Sequence, residues 1–428
     1  MRIVADFHIH SKYARATSPM CDIKGLSQGA KIKGIDVMGT GDFTHPLYFN
    51  EIRSDLDKNE CGFGGGGAED KGSQGSGIFD YNGIKFLLSS EVSLTFELNG
   101  KNRRMHHILL APSFDVVSQI NDRLSKYGNL KEDGRPILSI SSAALAEEIF
   151  SISEDCMIIP AHAWTPWFSV FGSKGGVDSI EEAFEDKAHK IHALETGLSS
   201  DPAMNWMLSS LDRYTLISNS DAHSLGKLGR EANVFEMEKV SYKTLTDAIK
   251  TRKGFVKTYE FYPEEGKYHY DGHRKCNTIL SPFESKAKNN LCPVCRKKVT
   301  VGVLHRVADL ADRKPGYKPE GAVPFQYIVP LTIIISKALK KSETSVAVAD
   351  EYSKIIRYFG TEFAVFEASE SQLRLATSKE IADAIIKVNT GQIKWVPGYD
   401  GVFGELILDP HQPKKGGVDK MQKNLNDF

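Results

Sequence analysis

The sequence predicts a parallel α/β domain over residues 1–258, a small cysteine-bearing module over 259–312, a mainly helical domain over 313–412 and a polar tail over 413–428. Three observations predict it. Short apolar runs alternate with stretches of helical spacing through the first 258 residues, the pattern of β/α units. Histidines and carboxylates follow those runs at once, where α/β folds carry their chemistry, at the C-terminal ends of strands. Three of the six cysteines fall in one short basic segment, beyond which helical periodicity takes over. A chain of 428 residues is too long for one ordinary core, so two or three domains are expected.

In chain order, residues 2–7 are strand-like, 23–33 have helical spacing, and 35–38 form a short apolar run ending in Gly39-Thr40-Gly41-Asp42. Runs at 85–89 and 92–96 flank Glu91, and 107–111 is a strand candidate. Residues 143–150 read as a helix, and 157–160 and 215–218 as short buried strands. Eight glycines between 61 and 77 mark a surface loop. Amphipathic helices are expected over 337–358 and 378–390, a turn at Gly398-Tyr399-Asp400-Gly401, and a strand over 403–408.

Composition narrows the class. With 41% hydrophobic and 25% charged residues and a net charge of −1, the chain is no polycation, so any nucleic-acid surface must come from local charge. The longest apolar run, 328–335, is short and contains Pro330, so no membrane span is expected. No signal-peptide pattern opens the sequence, and Cys21, Cys61 and Cys156 are isolated, which points to a cytoplasmic, reducing environment.

The first motif is Asp6-Phe7-His8-Ile9-His10, whose histidines share one face of a strand. Alone, His-x-His is weak. Its companions are Asp42 and His45 after the second run, Glu91 inside an apolar stretch, and His106-His107 before 108–111. His162 follows the 157–160 run, and Asp221 and His223 follow 215–218. An unpaired carboxylate such as Glu91 is costly inside an apolar stretch, and separate structural partners would be needed for every one of these groups. A metal cluster explains them together.

This set, in this order, resembles the polymerase and histidinol phosphatase (PHP) superfamily. The resemblance covers 1 to about 235 and implies a distorted β/α barrel of seven strands with metals at the strand C-termini. It implies that His8, His10, Glu91 and Asp221 hold one ion, that Glu91, His107 and His162 hold a second, and that His45, His223 and Asp42 hold a third. His107 is preferred over His106 because it directly precedes the apolar run. The further family ligand after His-x-His has no counterpart, since 11–18 contain no His, Asp or Glu. Two or three divalent ions (Zn, Mn or Mg) would make hydroxide available near neutral pH and neutralise a phosphate in its transition state. Asp221 and Glu91 are then the catalytic carboxylates. Glu195 and Asp201 either orient water or add a metal ligand, or, for Asp201, cap a helix beginning at Pro202. Trp164, Trp167, Phe168 and Phe171 either stack on a base or pack in the core. Arg15, Arg103, Arg104 and Lys174 are candidate phosphate contacts.

His273-Arg274-Lys275-Cys276 and Cys292-Pro293-Val294-Cys295 form two close pairs separated by a loop, the spacing of a tetrahedral structural zinc site. His269 is an alternative fourth ligand to His273. The segment 267–318 carries 12 Lys/Arg against 4 Asp/Glu, which favours phosphate-backbone contact, with Arg274 and Lys275 among the candidates.

The succession of this PHP pattern, the zinc knuckle, Val303-Leu304-His305-Arg306-Val307-Ala308-Asp309-Leu310 and Pro397-Gly398-Tyr399-Asp400-Gly401 resembles the endonuclease Q family over nearly the whole chain. That resemblance implies a DNA repair endonuclease cutting 5′ to deaminated bases (uracil, hypoxanthine, xanthine) or abasic sites in double-stranded DNA. Gln422, Leu425 and Phe428 in the tail resemble a sliding-clamp-binding peptide. Two rivals are a PHP phosphatase for a small phosphate ester and a DNA-binding scaffold with a degenerate metal site; activity on small esters and metal analysis, respectively, discriminate them.

Overall fold

The computed structural model describes residues 1–57 and 75–408. Most of the glycine-rich segment, Cys61 included, and the tail with Gln422, Leu425 and Phe428 lie outside the described residues.

The strands are β1 (Arg2–Asp6), β2 (Val37–Gly39), β3 (Phe79–Tyr81), β4 (Ile84–Leu98), β5 (Lys101–Ala111), β6 (Ile137–Leu138), β7 (Met157–Pro160), β8 (Ala193–Glu195), β9 (Thr215–Ile217), β10 (Ala232–Glu236) and β11 (Phe255–Glu260). They are followed by β12 (Asp271–His273), β13 (Thr278–Leu280), β14 (Phe325–Tyr327), β15 (Lys394–Val396) and β16 (Glu405–Ile407). The main sheet runs β14-β11-β10-β1-β2-β4-β5-β7, with β3 and β6 on β4. A separate parallel pair, β8-β9, completes the curl. The Ala163 N–H donates to Glu195 C=O at 3.0 Å on one side, and the His10 N–H donates to Ala222 C=O at 2.9 Å on the other. Seven strands, β1-β2-β4-β5-β7-β8-β9, thus surround one end as a distorted barrel.

The expectation of a wholly parallel sheet needs correction. β1/β2, β2/β4 and β8/β9 are parallel, but β4/β5, β5/β7, β1/β10 and β10/β11 are antiparallel. The cause is local. Asn99 (φ 53°) and Gly100 (φ 70°) make a two-residue turn with both residues left-handed, and this folds β5 straight back on β4. The runs at 85–89 and 92–96 are therefore one long strand through Glu91.

The helices follow their caps. Ile23–Lys33 starts where the Asp22 side chain accepts from the Gly25 N–H and stops at left-handed Gly34. It buries Ile23, Leu26 and Ala30 at helical spacing. One sheet face packs Ile3, Phe7, Leu87, Ile108, Leu110 and Ile159 against helix Tyr242–Thr251; the other packs on the remaining helices.

Beyond residue 258 the chain does not detach. β14 pairs in parallel with β11, and the Lys33 ammonium and Glu362 carboxylate form a buried 2.6 Å pair joining the C-terminal helices to the first helix. The helix expected over 337–358 is two helices, Leu331–Leu339 and Val346–Phe359. Lys340 turns left-handed after the first, and the polar run 340–345 has no apolar stripe to carry a helix across. The expected helix at 378–390 is Lys379–Asn389, with Ser378 as N-cap. No helix among the described residues is long and apolar enough to cross a membrane.

Candidate metal centre

The side chains that follow the strands converge at one end of the barrel. His8 Nε2, His10 Nε2, Glu91 Oε2 and Asp221 Oδ1 face one another, with His8–Glu91 at 3.5 Å, His10–Glu91 at 3.2 Å, His8–Asp221 at 3.8 Å and His10–Asp221 at 3.2 Å. Atoms about 2.1 Å from one tetrahedral ion stand about 3.4 Å apart, so this spacing fits a cation. His8 Nε2, His10 Nε2 and Asp221 Oδ1 are buried and lack a hydrogen-bond partner. Buried polar atoms are otherwise nearly always satisfied, and three orphans aimed at one point have the chemistry of a ligand set. A mixed imidazole and carboxylate donor set suits divalent transition ions.

A second group shares the other oxygen of Glu91. His106 Nδ1 lies 2.8 Å and His162 Nε2 3.0 Å from Glu91 Oε1, and these two nitrogens are 3.2 Å apart. Glu91 is fully buried, yet its carboxyl is held well below the usual range: burial opposes ionisation, and His106, Arg135 and His8 outweigh it.

Several backbone positions around the centre are locally unusual. Asp42 (φ 47°), His162 (φ 32°) and Asp221 (φ 46°) are left-handed without being glycine, a strain that concentrates at functional sites. His162 is accommodated because Gly197 lies against it; a Cβ there would stand 2.6 Å from His162 Cβ.

The layer behind the ligands fixes their tautomers. His8 Nδ1 donates to Glu195 at 3.0 Å, leaving Nε2 for the centre. Glu195 also accepts from the His162 N–H at 2.7 Å and the Asn219 amide at 2.9 Å. His10 Nδ1 donates to Asp42 Oδ1 at 2.9 Å, and Asp42 Oδ2 accepts from the Ser11 N–H at 2.6 Å. Asp6 holds the Asp221 loop by accepting from the Ser220 and Gly229 N–H groups, each at 3.1 Å. Such partners typically cost about 10–100-fold in metal affinity or activity when lost. Glu195→Gln and Asp42→Asn are therefore each expected to weaken Mn²⁺ binding by about that factor, read by calorimetric titration.

Several sequence expectations change here. His106, not His107, faces Glu91; His107 hydrogen-bonds Ser142 at 2.8 Å, and burial pushes its pKa down to about 3. Neighbours on a strand point to opposite faces, so both cannot serve. His106→Ala is expected to lower metal content and activity by at least tenfold, whereas His107→Ala keeps the metal and loses thermal stability. Asp42 is occupied as the partner of His10. His45 caps helix Pro46–Leu56 and stacks on Tyr13 at 4.4 Å. His223 rests on His10 at 4.4 Å between ring centroids, so His45, His223 and Asp42 do not gather as a third group. Asp201 is a helix cap: one oxygen accepts from the Met204 N–H at 2.7 Å and the other from Tyr327.

The aromatics divide. Trp164 and Phe171 are fully buried and pack on each other at 4.7 Å, with the indole N–H donated to Asn205. Trp167 is 40% exposed beside Tyr268, and half-buried Phe168 stands 4.9 Å from the His106 ring. Arg104 lies over Phe168, while Arg103 is tied to Gly176 C=O and Glu182. The Arg15 N–H donates to Asp133, and Lys174 is exposed.

In the small module, His273, Cys276, Cys292 and Cys295 gather within ligand distance, with Cys295 Sγ 3.3 Å from His273 Nδ1. His269 is buried elsewhere, stacked on Tyr270. The 398–401 turn clamps the module: Asp400 accepts from the Arg274 N–H and the Thr300 hydroxyl at 2.6 Å each. Arg274 and Lys275 remain exposed.

Among solved structures, the chain resembles the lesion-specific endonuclease PfuEndoQ of Pyrococcus furiosus, at 30% identity over 95% of each chain with a TM-score of 0.82. The chain belongs to the endonuclease Q family. Membership places it in the class of metal-dependent DNA repair endonucleases. A structure of endonuclease Q bound to a 27-mer duplex with an abasic lesion at its active site matches at the same identity and TM-score, over 96% of this chain and 97% of that one. The uncharacterized protein YqxK of Bacillus subtilis is 27% identical over 95% of this chain and 99% of its own length. No family model matches the chain.

Proposed function

We propose that this endonuclease Q nicks duplex DNA on the 5′ side of a deaminated base (uracil, hypoxanthine or xanthine) or an abasic site, at a centre built on Glu91. The observation that carries this reading is the convergence of His8 Nε2, His10 Nε2 and Asp221 Oδ1, buried and unpartnered, on a carboxylate whose second oxygen serves His106 and His162. His8, His10, Glu91 and Asp221 would hold one divalent ion, and Glu91, His106 and His162 a second, with Mn, Mg or Zn as candidates. Ions there supply a water of lowered pKa and neutralise charge on the phosphate oxygens.

The residues of the chain do the rest. Glu195 and Asp42 keep His8 and His10 in the tautomers that offer Nε2. Asp221 and His223, at 28% and 32% side-chain exposure, are the solvent-facing members, so water and phosphate enter on their side. Phe168, 4.9 Å from the His106 ring, and exposed Trp167 would offer π faces to a base drawn out of the stack. His273, Cys276, Cys292 and Cys295 would hold one structural zinc, with Arg274 and Lys275 toward the DNA backbone.

The test is nicking of end-labelled duplexes that differ only in one uracil, hypoxanthine or abasic site, with Mn²⁺ or Mg²⁺. A cut just 5′ of the lesion and none in the undamaged duplex is expected. Cleavage of small phosphate esters with no cut in any lesion duplex would replace this reading by the phosphatase.

A further inference from the structure

One cation belongs to the centre without being able to bind a metal. Arg135 Nη1 lies 2.9 Å from Glu91 Oε2, the oxygen that also faces His8 and His10. Glu91 is thus approached by the ring nitrogens of His8, His10, His106 and His162 and by the guanidinium of Arg135, around two oxygens. Each imidazole can offer a lone pair to an ion. The guanidinium has none and keeps its charge. With divalent ions held by Glu91, the carboxylate charge would be shared with them and Arg135 would be left to pair with another anion. Its side chain is 28% exposed, at the same mouth as Asp221, so the anion available to it is one that arrives from solvent.

The backbone beneath Arg135 is fixed. Its N–H donates to Asp133 at 3.0 Å, the Gly134 N–H donates to Tyr13 C=O at 3.0 Å, and Pro136 C=O accepts from the Ser93 N–H at 3.0 Å. Gly134 is pressed against Asp42, where a Cβ would stand 2.4 Å from Oδ2. The guanidinium therefore pivots from a rigid base. Neighbouring cations are engaged elsewhere: Arg230 Nε donates to Ser220 C=O at 2.7 Å, and Lys12 pairs with Glu51 at 2.9 Å.

We propose that Arg135, seated beside Glu91 at the mouth of the centre, grips the scissile phosphate of a bound duplex. A guanidinium matches phosphate oxygens in a bidentate fork, which orients the diester as well as neutralising it. This rests on the nuclease reading above.

The test uses the full chain and Arg135→Ala and Arg135→Lys. Mn²⁺ titration without DNA is expected to show equal or tighter binding in Arg135→Ala, since a competing cation has gone from Glu91. Single-turnover nicking should fall about 100-fold or more, the usual loss for one donor to transition-state charge, with partial recovery in Arg135→Lys. Inorganic phosphate should bind the Mn²⁺-loaded Arg135→Ala protein about tenfold more weakly than wild type, consistent with a charge-assisted contact. Wild-type nicking in Arg135→Ala, or a parallel loss of Mn²⁺ affinity and rate, would overturn the proposal; the second result makes Arg135 a structural support of Glu91. If wild type itself nicks no lesion duplex, the nuclease reading fails on its own. The Mn²⁺ and phosphate titrations then decide the role of Arg135: weaker phosphate with Mn²⁺ affinity kept or raised supports it, and unchanged phosphate binding overturns it.

Discussion

Glu91→Gln is expected to empty both ion positions at once and to reduce nicking by about 1,000-fold or more, the scale of losing a principal source of transition-state charge stabilisation. The carboxamide keeps the size of the side chain but cannot serve as an anionic bridge. Each oxygen of Glu91 faces a different group of imidazoles, Oε2 toward His8 and His10 and Oε1 toward His106 and His162. A substitution at His162 or Asp221 damages one group; the substitution at Glu91 reaches both. Elemental analysis of the purified variant should show zinc retained by the cysteine module and no other divalent ion, while wild type carries further ions. Retention of two centre ions with wild-type nicking would show that Glu91 is not the bridge.

Cys292→Ser, or prolonged treatment with a strong chelator, is expected to unfold the small module and leave the barrel intact. The module has its own core of only Leu280, Cys292 and Val299. Three side chains cannot offset the entropy of ordering residues 271–300, whereas structural zinc binding is worth about 10–16 kcal/mol in comparable units. His273 and Cys276 belong to the β12–β13 hairpin and Cys292 and Cys295 to the knuckle, so a shared zinc would tie the two and loss of one ligand would free both. Exposed Arg274, Lys275, Arg296, Lys297 and Lys298 would then no longer be presented together. Limited proteolysis should cut between 274 and 298, and affinity for a lesion duplex should fall by at least tenfold with a weaker salt dependence, because phosphate contacts are lost. The centre should still bind Mn²⁺ as wild type does. Unchanged proteolysis after zinc loss would mean that the Asp400 clamp, and not the metal, holds the module.

Most of the centre was legible because its residues follow short buried strands, and a strand end is readable from an apolar run. His8, His10, His162 and Asp221 all follow such runs. The sequence itself carries the signal that His106, and not the preferred His107, faces Glu91. Asn99-Gly100 is the strongest short hairpin signal, and it fixes the pairing of Leu98 with Lys101. Counting back, Glu91 faces Ile108 and shares its face with His106, while His107 pairs with Val92 on the other face. Expecting parallel units throughout hid this parity. Arg135 had no local signal, since it lies in a polar loop and acquires its role only through its approach to Glu91 across 44 positions of sequence. The split of the 337–358 helix was readable from the polar run 340–345, which interrupts the apolar stripe. The joining of 313–412 to the barrel was not, because β14 is three residues long and pairs far away with β11.

The most direct test of the account is anomalous diffraction from crystals of this protein soaked in Mn²⁺, with data at the manganese and zinc edges. Two manganese peaks are predicted on either side of Glu91, one among His8, His10 and Asp221 and the other between His106 and His162, together with a zinc peak among His273, Cys276, Cys292 and Cys295. A peak at His107 or His45, or none beside Glu91, would contradict it.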